Sequence, residues 1–281
     1  MRFTKMHGAA NDYVVVDCFE RAAPDDLEPL IRAVCDRRRG VGADGFVLVL
    51  PDDRSDAEMR MYNPDGSFSA MCGNAVRCVA KLLRDTGRLS HAEFTIRSAE
   101  RLVPVRMIDE SGTVSRVEAN LGVPELEPAC LPTTLAKTRE ARLALGDAEV
   151  TVTCISMGNP HCVLFTDQFA SHDVDRSDVA GVGPLVENHA VFPKRTNVEF
   201  VEVIDRDRVR QRTWERGAGE TLACGSGACA TSVAAAMTGR TGRRVSVELR
   251  GGVLDIEWRD ADDNVLMTGD AVTVFDGDWP L

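Results

Sequence analysis

The chain has 281 residues, enough for two ordinary domains that each bury a core. Its 44 acidic side chains outnumber 33 basic ones, a net charge of −11 that argues against nucleic acid or a membrane surface as partner and leaves a small charged substrate open. Nine cysteines show neither a compact disulfide framework nor a CxxC zinc pair, so reduced thiols and no metal are expected, and no window approaches the roughly 18 apolar residues of a membrane helix.

Phe3 to Asp17 reads as strand, turn, strand, broken at His7 to Asn11. No basic start with an apolar core precedes it, so no signal peptide is expected and the location is expected to be cytoplasmic. Leu27, Leu30, Ile31 and Val34 recur at helical spacing and predict a helix over Leu27 to Arg38, with Arg37, Arg38 and Arg39 complementing its dipole. Gly40 to Gly45 spells G-x-G-x-x-G, but these glycines follow a helix and open a strand, Phe46 to Leu50. A dinucleotide site needs the reverse order and is not expected.

Met59 to Tyr62 is a short strand leading to the turn Asn63-Pro64-Asp65-Gly66. A helix then starts at Cys72, with Val76, Val79, Ala80 and Leu83 on its buried face. Phe94 to Ile96 and Leu102 to Val105 form a hairpin. The Pro- and Glu-rich stretch Val123 to Pro132 is the candidate crossover. It divides the chain into an N-terminal half, 1–122, to which 268–281 returns, and a C-terminal half, 123–267. In the second half Glu149 to Ile155 is a strand, Asp173 to Val186 caps and begins a short helix, and Asn197 to Ile204 and Val209 to Trp214 are strands. The helix after Cys224 is small on nearly every side and so is expected to be central and closely wrapped. Val245 to Leu249, Val253 to Trp258 and Val272 to Phe275 complete the strands.

The halves repeat one another. MCGNAVRC at Met71 to Cys78 returns as LACGSGAC at Leu222 to Cys229. Asn63 and Glu215 lie nine residues before the respective cysteines, behind Tyr62 and Trp214, and Thr86-Gly87-Arg88 and Thr238-Gly239-Arg240 begin fourteen residues after them. Fainter echoes join Met6 and the run from Asn11 to Met157 and the run from Gly158. Packing alone does not require cysteine and glycine at the same place twice, so a paired active site is the favoured reading.

A thiol at a helix N-terminus meets unpaired N–H groups and a partial positive charge, which lower its pKa from about 8.5. The N–H groups of Gly73, Asn74, Gly225 and Ser226 are suited to a carboxylate. Two such starts suit inversion at the carbon α to that carboxylate: one thiolate removes a proton from one face and the other thiol returns one to the opposite face. No cofactor is expected, since Lys5, Lys81, Lys137 and Lys194 all lack a pyridoxal phosphate setting. Cys18, Cys35, Cys130 and Cys154 are expected in the core, and Cys78 and Cys229 in helix packing.

The segments KMHGAANDYVVVD, YNPDGSFSAMCGNAVRC, SMGNPHCV, TNVEFV and WERGAGETLACGSGACA occur in this order, and over essentially its whole length the chain resembles the diaminopimelate epimerase family. The resemblance implies cofactor-independent interconversion of LL- and meso-2,6-diaminopimelate in lysine and cell-wall precursor synthesis. It also implies a homodimer with a mixed α/β fold of two pseudo-symmetric domains, each a β-barrel-like sheet around a central helix. It makes Cys72 and Cys224 the acid/base pair and gives the reacting-end carboxylate to Gly73, Asn74, Gly225 and Ser226. Asn11, Asn63, Asn159, Asn197, Glu215 and Arg216 fall to the substrate, chiefly its distal end, and His161 and Glu215 to tuning the cysteines.

The chain departs from the family at Gly45, where some members have Gln, at Ala75, where glycine is usual, and at Met267 to Asp270, where MTGD lacks a proline and is expected to touch only a loop. A proline or hydroxyproline racemase of the same fold is the nearest alternative, but His is expected there in place of Asn74, and no distal clamp such as Arg216. A cysteine hydrolase built on Cys224 and His161 leaves the Cys72 copy unexplained. A non-catalytic anion-binding module would exchange no α-proton with deuterated water.

Overall fold

The computed structural model describes residues 1–109 and 114–280. Its chain divides into two units, Met1–Asn120 with Thr268–Leu281, and Leu121–Met267.

In the first unit β1 (Arg2–Gly8) and β2 (Asn11–Asp17) form an antiparallel hairpin, and α1 (Leu27–Cys35) leads to β3 (Gly45–Leu50), parallel to β2. Antiparallel to β3 runs β4 (Ala57–Tyr62), onto which the short β5 (Phe68–Ser69) folds back. After the helix α2 (Gly73–Asp85), β6 (Glu93–Ser98) lies parallel to β4, and β7 (Arg101–Asp109) and β8 (Val114–Asn120) follow antiparallel. Side chains alternate along these strands. Val14, Val16, Phe46 and Leu48 therefore pack on Ile31 and Val34 of α1, while Tyr13, Val15 and Val47 turn to the other face, toward α2.

The second unit follows the same plan. The strand β9 (Ala141–Leu145) pairs with β10 (Ala148–Ser156), which forms a hairpin with β11 (Pro160–Phe165). The helix α3 (Val179–Glu187) leads to β12 (Asn197–Val203), parallel to β11, and β13 (Arg208–Glu215) returns antiparallel with the short β14 (Gly219–Thr221) on it. After α4 (Gly225–Met237) come β15 (Arg244–Leu249), parallel to β13, and β16 (Gly252–Trp258). The chain passes back to the first unit within β17 (Val265–Asp270), and β18 (Val272–Asp278) pairs antiparallel with β1.

Strands from both ends of the first sheet, β1 and β18 as well as β7 and β8, touch α2, so the sheet curls round that helix. Gly73 through Leu83 are all buried. In the second unit α4 meets β10, β11, β12, β15 and β16 and is buried from Gly227 to Ala235, as its small side chains predict. Both helices end alike. Thr86 and Thr238 turn their hydroxyls back to the carbonyls of Leu82 and Ala234 at 2.7 and 2.8 Å, and Gly87 and Gly239 follow at φ 71° and 74°, a left-handed conformation that favours glycine.

Several local expectations change. Helix α1 stops at Cys35 because Asp36 leaves the helix and its Oδ1 accepts from the N–H groups of Arg38 and Arg39 at 2.8 and 2.9 Å, a side-chain turn that outcompetes another helical turn. Arg37 is no helix cap: it pairs with Asp12 and Asp44 at 2.6 and 2.7 Å. Asp173 and Asp178 cap two separate elements, a single turn at Val174–Arg176 and α3. Cys130 is exposed, at the end of the short turn Pro128–Cys130 where no strand or amphipathic helix exists to bury it. Met267 to Asp270 belongs to β17 and is no loop. Among the described residues no helix is long and apolar enough to cross a membrane.

Candidate active site

Cys72 and Cys224 are the N-cap residues of α2 and α4. Both have extended backbone, φ −146°, ψ 111° and φ −119°, ψ 107°. The first helical hydrogen bonds run from Val76 N–H to the Cys72 carbonyl at 3.0 Å and from Ala228 N–H to the Cys224 carbonyl at 2.9 Å. The N–H groups of Gly73, Asn74, Gly225 and Ser226 precede them and have no carbonyl within their own helix to bond.

Around Cys72, Sγ lies 3.1 Å from the hydroxyl of Tyr13. Asn74 is 1% exposed, yet its Oδ1 has no hydrogen-bond partner, and neither has the buried Oδ1 of Asn11 at the start of β2. Gly8 permits close approach of the β1–β2 turn, since a Cβ there would lie 3.2 Å from the Asn74 carbonyl oxygen. Asn63 opens the β4–β5 turn, where its Nδ2 donates to Ser67 Oγ at 2.9 Å.

The surroundings of Cys224 are more polar. Asn159 donates through Nδ2 to Ser226 Oγ at 3.3 Å, which turns its Oδ1 toward His161 Nε2 at 3.0 Å. The other ring nitrogen, Nδ1, lies 2.7 Å from Glu199 Oε1, with both side chains fully buried. Nε2 is thus placed to donate to the Asn159 amide oxygen, while Nδ1 faces the Glu199 carboxyl. The Cys224 sulfur, an imidazole nitrogen and a Glu199 oxygen all lie within 4.8 Å of one another, and Sγ is 3.6 Å from Ser226 Oγ. Among the described residues this trio is the set able to ligate a metal, although both imidazole nitrogens are already hydrogen-bonded.

Asn197 Oδ1 accepts from Arg216 N–H at 2.9 Å while its Nδ2 donates to the Pro160 carbonyl at 2.8 Å, so the amide anchors the exposed arginine. Arg216 Nη1 donates to the Lys194 carbonyl at 3.2 Å. Glu215 Oε1 accepts from Thr221 Oγ1 at 2.5 Å. Ser226, Asn159, His161 and Glu199 thus form one hydrogen-bonded group, Asn197 and Arg216 a second, and Glu215 bonds separately to Thr221.

Burial, then the carboxylates of Glu215 and Glu199, push the Cys224 thiol well above the ordinary thiol range, while the Ser226 hydroxyl and the Gly227 N–H act the other way. The expected lowering at the helix start does not hold for Cys224. The half-charge of a helix terminus loses to desolvation acting together with two nearby carboxylates.

Three neighbours of the cysteines escape motif reading. Tyr13 is the first, although the faint echo of the Asn11 run in the Gly158 run already sets it beside His161. Glu199 lies within TNVEFV, two residues after Asn197 and so on the same face of β12. Gly227 is the third: a Cβ there would lie 2.7 Å from Glu199 Oε1 and 3.2 Å from Cys224 Sγ.

The architecture has solved counterparts. A probable proline racemase from Agrobacterium radiobacter superposes with a TM-score of 0.73 at 16% identity, over 100% of this chain and 93% of that one. A hydroxyproline epimerase from Agrobacterium vitis gives 0.72 at 17% identity, over 99% and 91%. The protein therefore has the two-unit racemase and epimerase fold.

Its sequence narrows this to one family. The model of the family described as diaminopimelate epimerase matches residues 3–126 and 153–274. Proteins named diaminopimelate epimerase are 47% identical in Moorella thermoacetica, with 100% of both chains covered, and 48% identical in Desulforudis audaxviator, with 99% of both. One from Methanococcus maripaludis is 43% identical, again with 99% of both. The chain belongs to the diaminopimelate epimerase family.

Proposed function

We propose that the protein interconverts LL- and meso-2,6-diaminopimelate by a two-cysteine acid/base mechanism, in lysine and cell-wall precursor synthesis. The observation that carries this reading is the same residue at the N-cap of the central helix of each unit, in a chain of that family. Cys72 and Cys224 act as base and acid by turns, since inversion removes a proton from one face of the α-carbon and returns one to the other. The N–H groups of Gly73, Asn74, Gly225 and Ser226 receive the reacting-end carboxylate and stabilise the charge that develops on it.

Asn11, Asn63, Asn159, Asn197, Glu215 and Arg216 bind the substrate, and His161 and Glu215 tune Cys224. The unpartnered amide oxygens of Asn11 and Asn74 support polar ligation, because a substrate ammonium would satisfy buried acceptors otherwise left without a partner. A homodimer in the cytoplasm and independence from any cofactor or metal belong to the same reading, which size-exclusion chromatography and a chelator-treated assay test.

The deciding experiment incubates the enzyme with LL-diaminopimelate in deuterated water. Deuterium should enter one α-carbon as the meso isomer forms, and proline under the same conditions should stay unexchanged. Exchange into proline would favour the proline racemase reading, and no exchange at all would favour an anion-binding module.

Arg216→Lys is expected to lower kcat/KM about tenfold or more despite keeping the charge. A guanidinium grips a carboxylate through two parallel hydrogen bonds, whereas an ammonium is a point charge. Steady-state kinetics check this, and an unchanged kcat/KM would remove Arg216 from the site.

A further inference from the structure

We propose that Tyr13 is a positioning residue for Cys72: its hydroxyl donates to the Cys72 thiolate and accepts from the Cys72 thiol, holding the sulfur through both protonation states of the reaction. The inference rests on the reading of Cys72 as an acid/base group. Tyr13 is fully buried on β2, and its oxygen lies 3.1 Å from Sγ. A buried phenol needs a hydrogen-bond partner, and here it meets the thiol.

The strand register shows that this contact belongs to the repeat. In the first unit Tyr13 pairs with Gly45 and Phe46 with Tyr62, which stands ten residues before Cys72. In the second His161 pairs with Asn197 and Val198 with Trp214, which stands ten residues before Cys224. Following the pairs outward from each cysteine puts Tyr13 at the place of His161. Each unit therefore sets a hydrogen-bonding side chain from the same strand position against its own cysteine, a phenol in one and an imidazole in the other. Gly45 makes the room, since a Cβ there would lie 3.2 Å from the Tyr13 ring and 3.0 Å from Met61 Cε.

Few other groups bear on the pair. From α2 they are Arg77, a permanent cation, and Cys78, whose thiol burial pushes up to about 12 and so keeps neutral. The buried strand residues on the same face, among them Met6, Val15, Val47 and Met61, do not titrate. Asp12 lies on the opposite face of β2: burial alone would raise its carboxyl, but hydrogen bonds from Arg37 and Lys5 hold it well below the usual range. Burial first and then Cys72 raise the phenol itself well above its ordinary value, so it keeps its proton when the thiol ionises and is the donor to the thiolate.

Tyr13→Phe removes the hydroxyl and keeps the ring. Iodoacetamide labelling of the Cys72 peptide, followed by mass spectrometry across pH, should show its midpoint rise by about one pH unit, because the thiolate loses a charge-assisted hydrogen bond. Diaminopimelate turnover should show kcat fall about tenfold with little change in KM. An unmoved labelling midpoint overturns the proposal, even if kcat falls, since a purely structural effect would lower turnover without changing the ionisation of Cys72. Should the variant misfold by circular dichroism, replacing Tyr13 with 3-fluorotyrosine keeps the fold and lowers the phenol pKa; the midpoint must then fall, and an unmoved one again overturns the proposal. Cys72→Ser separates the underlying reading: if it retains epimerisation, the acid/base role of Cys72 fails, whereas the labelling shift reports the Tyr13 contact independently.

Discussion

Alanine at Cys72 or at Cys224 is expected to lower epimerisation at least about 10³-fold, either substitution alone being sufficient. Each thiol serves one face of the α-carbon, so neither can stand in for the other. A remaining lone cysteine can still remove a proton and return it to the face it came from. Any deuterium uptake left in a single mutant should therefore occur with retention, giving labelled starting isomer and no product. Both substitutions exchange a small side chain for a smaller one at a helix cap that makes no side-chain capping bond, so the melting temperature should move by only a few degrees. Chiral chromatography of the reaction in deuterated water reads conversion and uptake together. Near wild-type conversion in either mutant would sink the two-cysteine mechanism.

Gly227→Ala is expected to cost about 10²-fold in kcat/KM and to lower stability by about 1–3 kcal/mol, the usual range for overpacking a filled core. The added methyl would sit 2.7 Å from Glu199 Oε1, 3.2 Å from Cys224 Sγ and 3.2 Å from Gln211 Nε2. Glu199 cannot swing aside without loss, because it is fully buried and the same Oε1 is bonded to His161. Relief therefore comes by breaking the His161 contact or by displacing the sulfur, and either disturbs Cys224. Gly242→Ala is the control, since a Cβ there meets nothing within 4 Å. Kinetics and thermal melts of the pair decide the matter. Equal behaviour of the two variants would mean that the space around Gly227 is not constrained.

What could be read from the chain follows from how local each signal is. The duplicated cysteine caps were legible because a helix start, its Cys-Gly pair and its terminating Thr-Gly lie in one continuous stretch. Asn197 and Arg216 are named from two motifs that resemble a known family, but the hydrogen bond between them joins separate stretches of chain. The contacts of Tyr13 and Glu199 depend instead on strand pairing, and register is set by tertiary packing. The raised pKa of the Cys224 thiol is hidden for a related reason: a helix terminus is visible in sequence, whereas burial beside two carboxylates emerges only when β12, β13 and α4 come together. The end of α1 is not legible in sequence, because Leu27 to Val34 carry a periodicity that does not encode where Asp36 turns its own side chain onto the backbone.

The pairing of β18 with β1 has a consequence for how the protein is made. Strand β1 leaves the ribosome before the whole of the second unit, yet the strand that covers its outer edge spans Val272–Asp278 and follows that unit. The contact from the Met1 ammonium to the Trp279 carbonyl, at 2.6 Å, waits for the same late segment. During synthesis the nascent first unit thus carries an open row of backbone donors and acceptors while the second is completed. The unit begun first is finished last, and until Val272–Asp278 is made its β1 edge stays open to pairing with other strands.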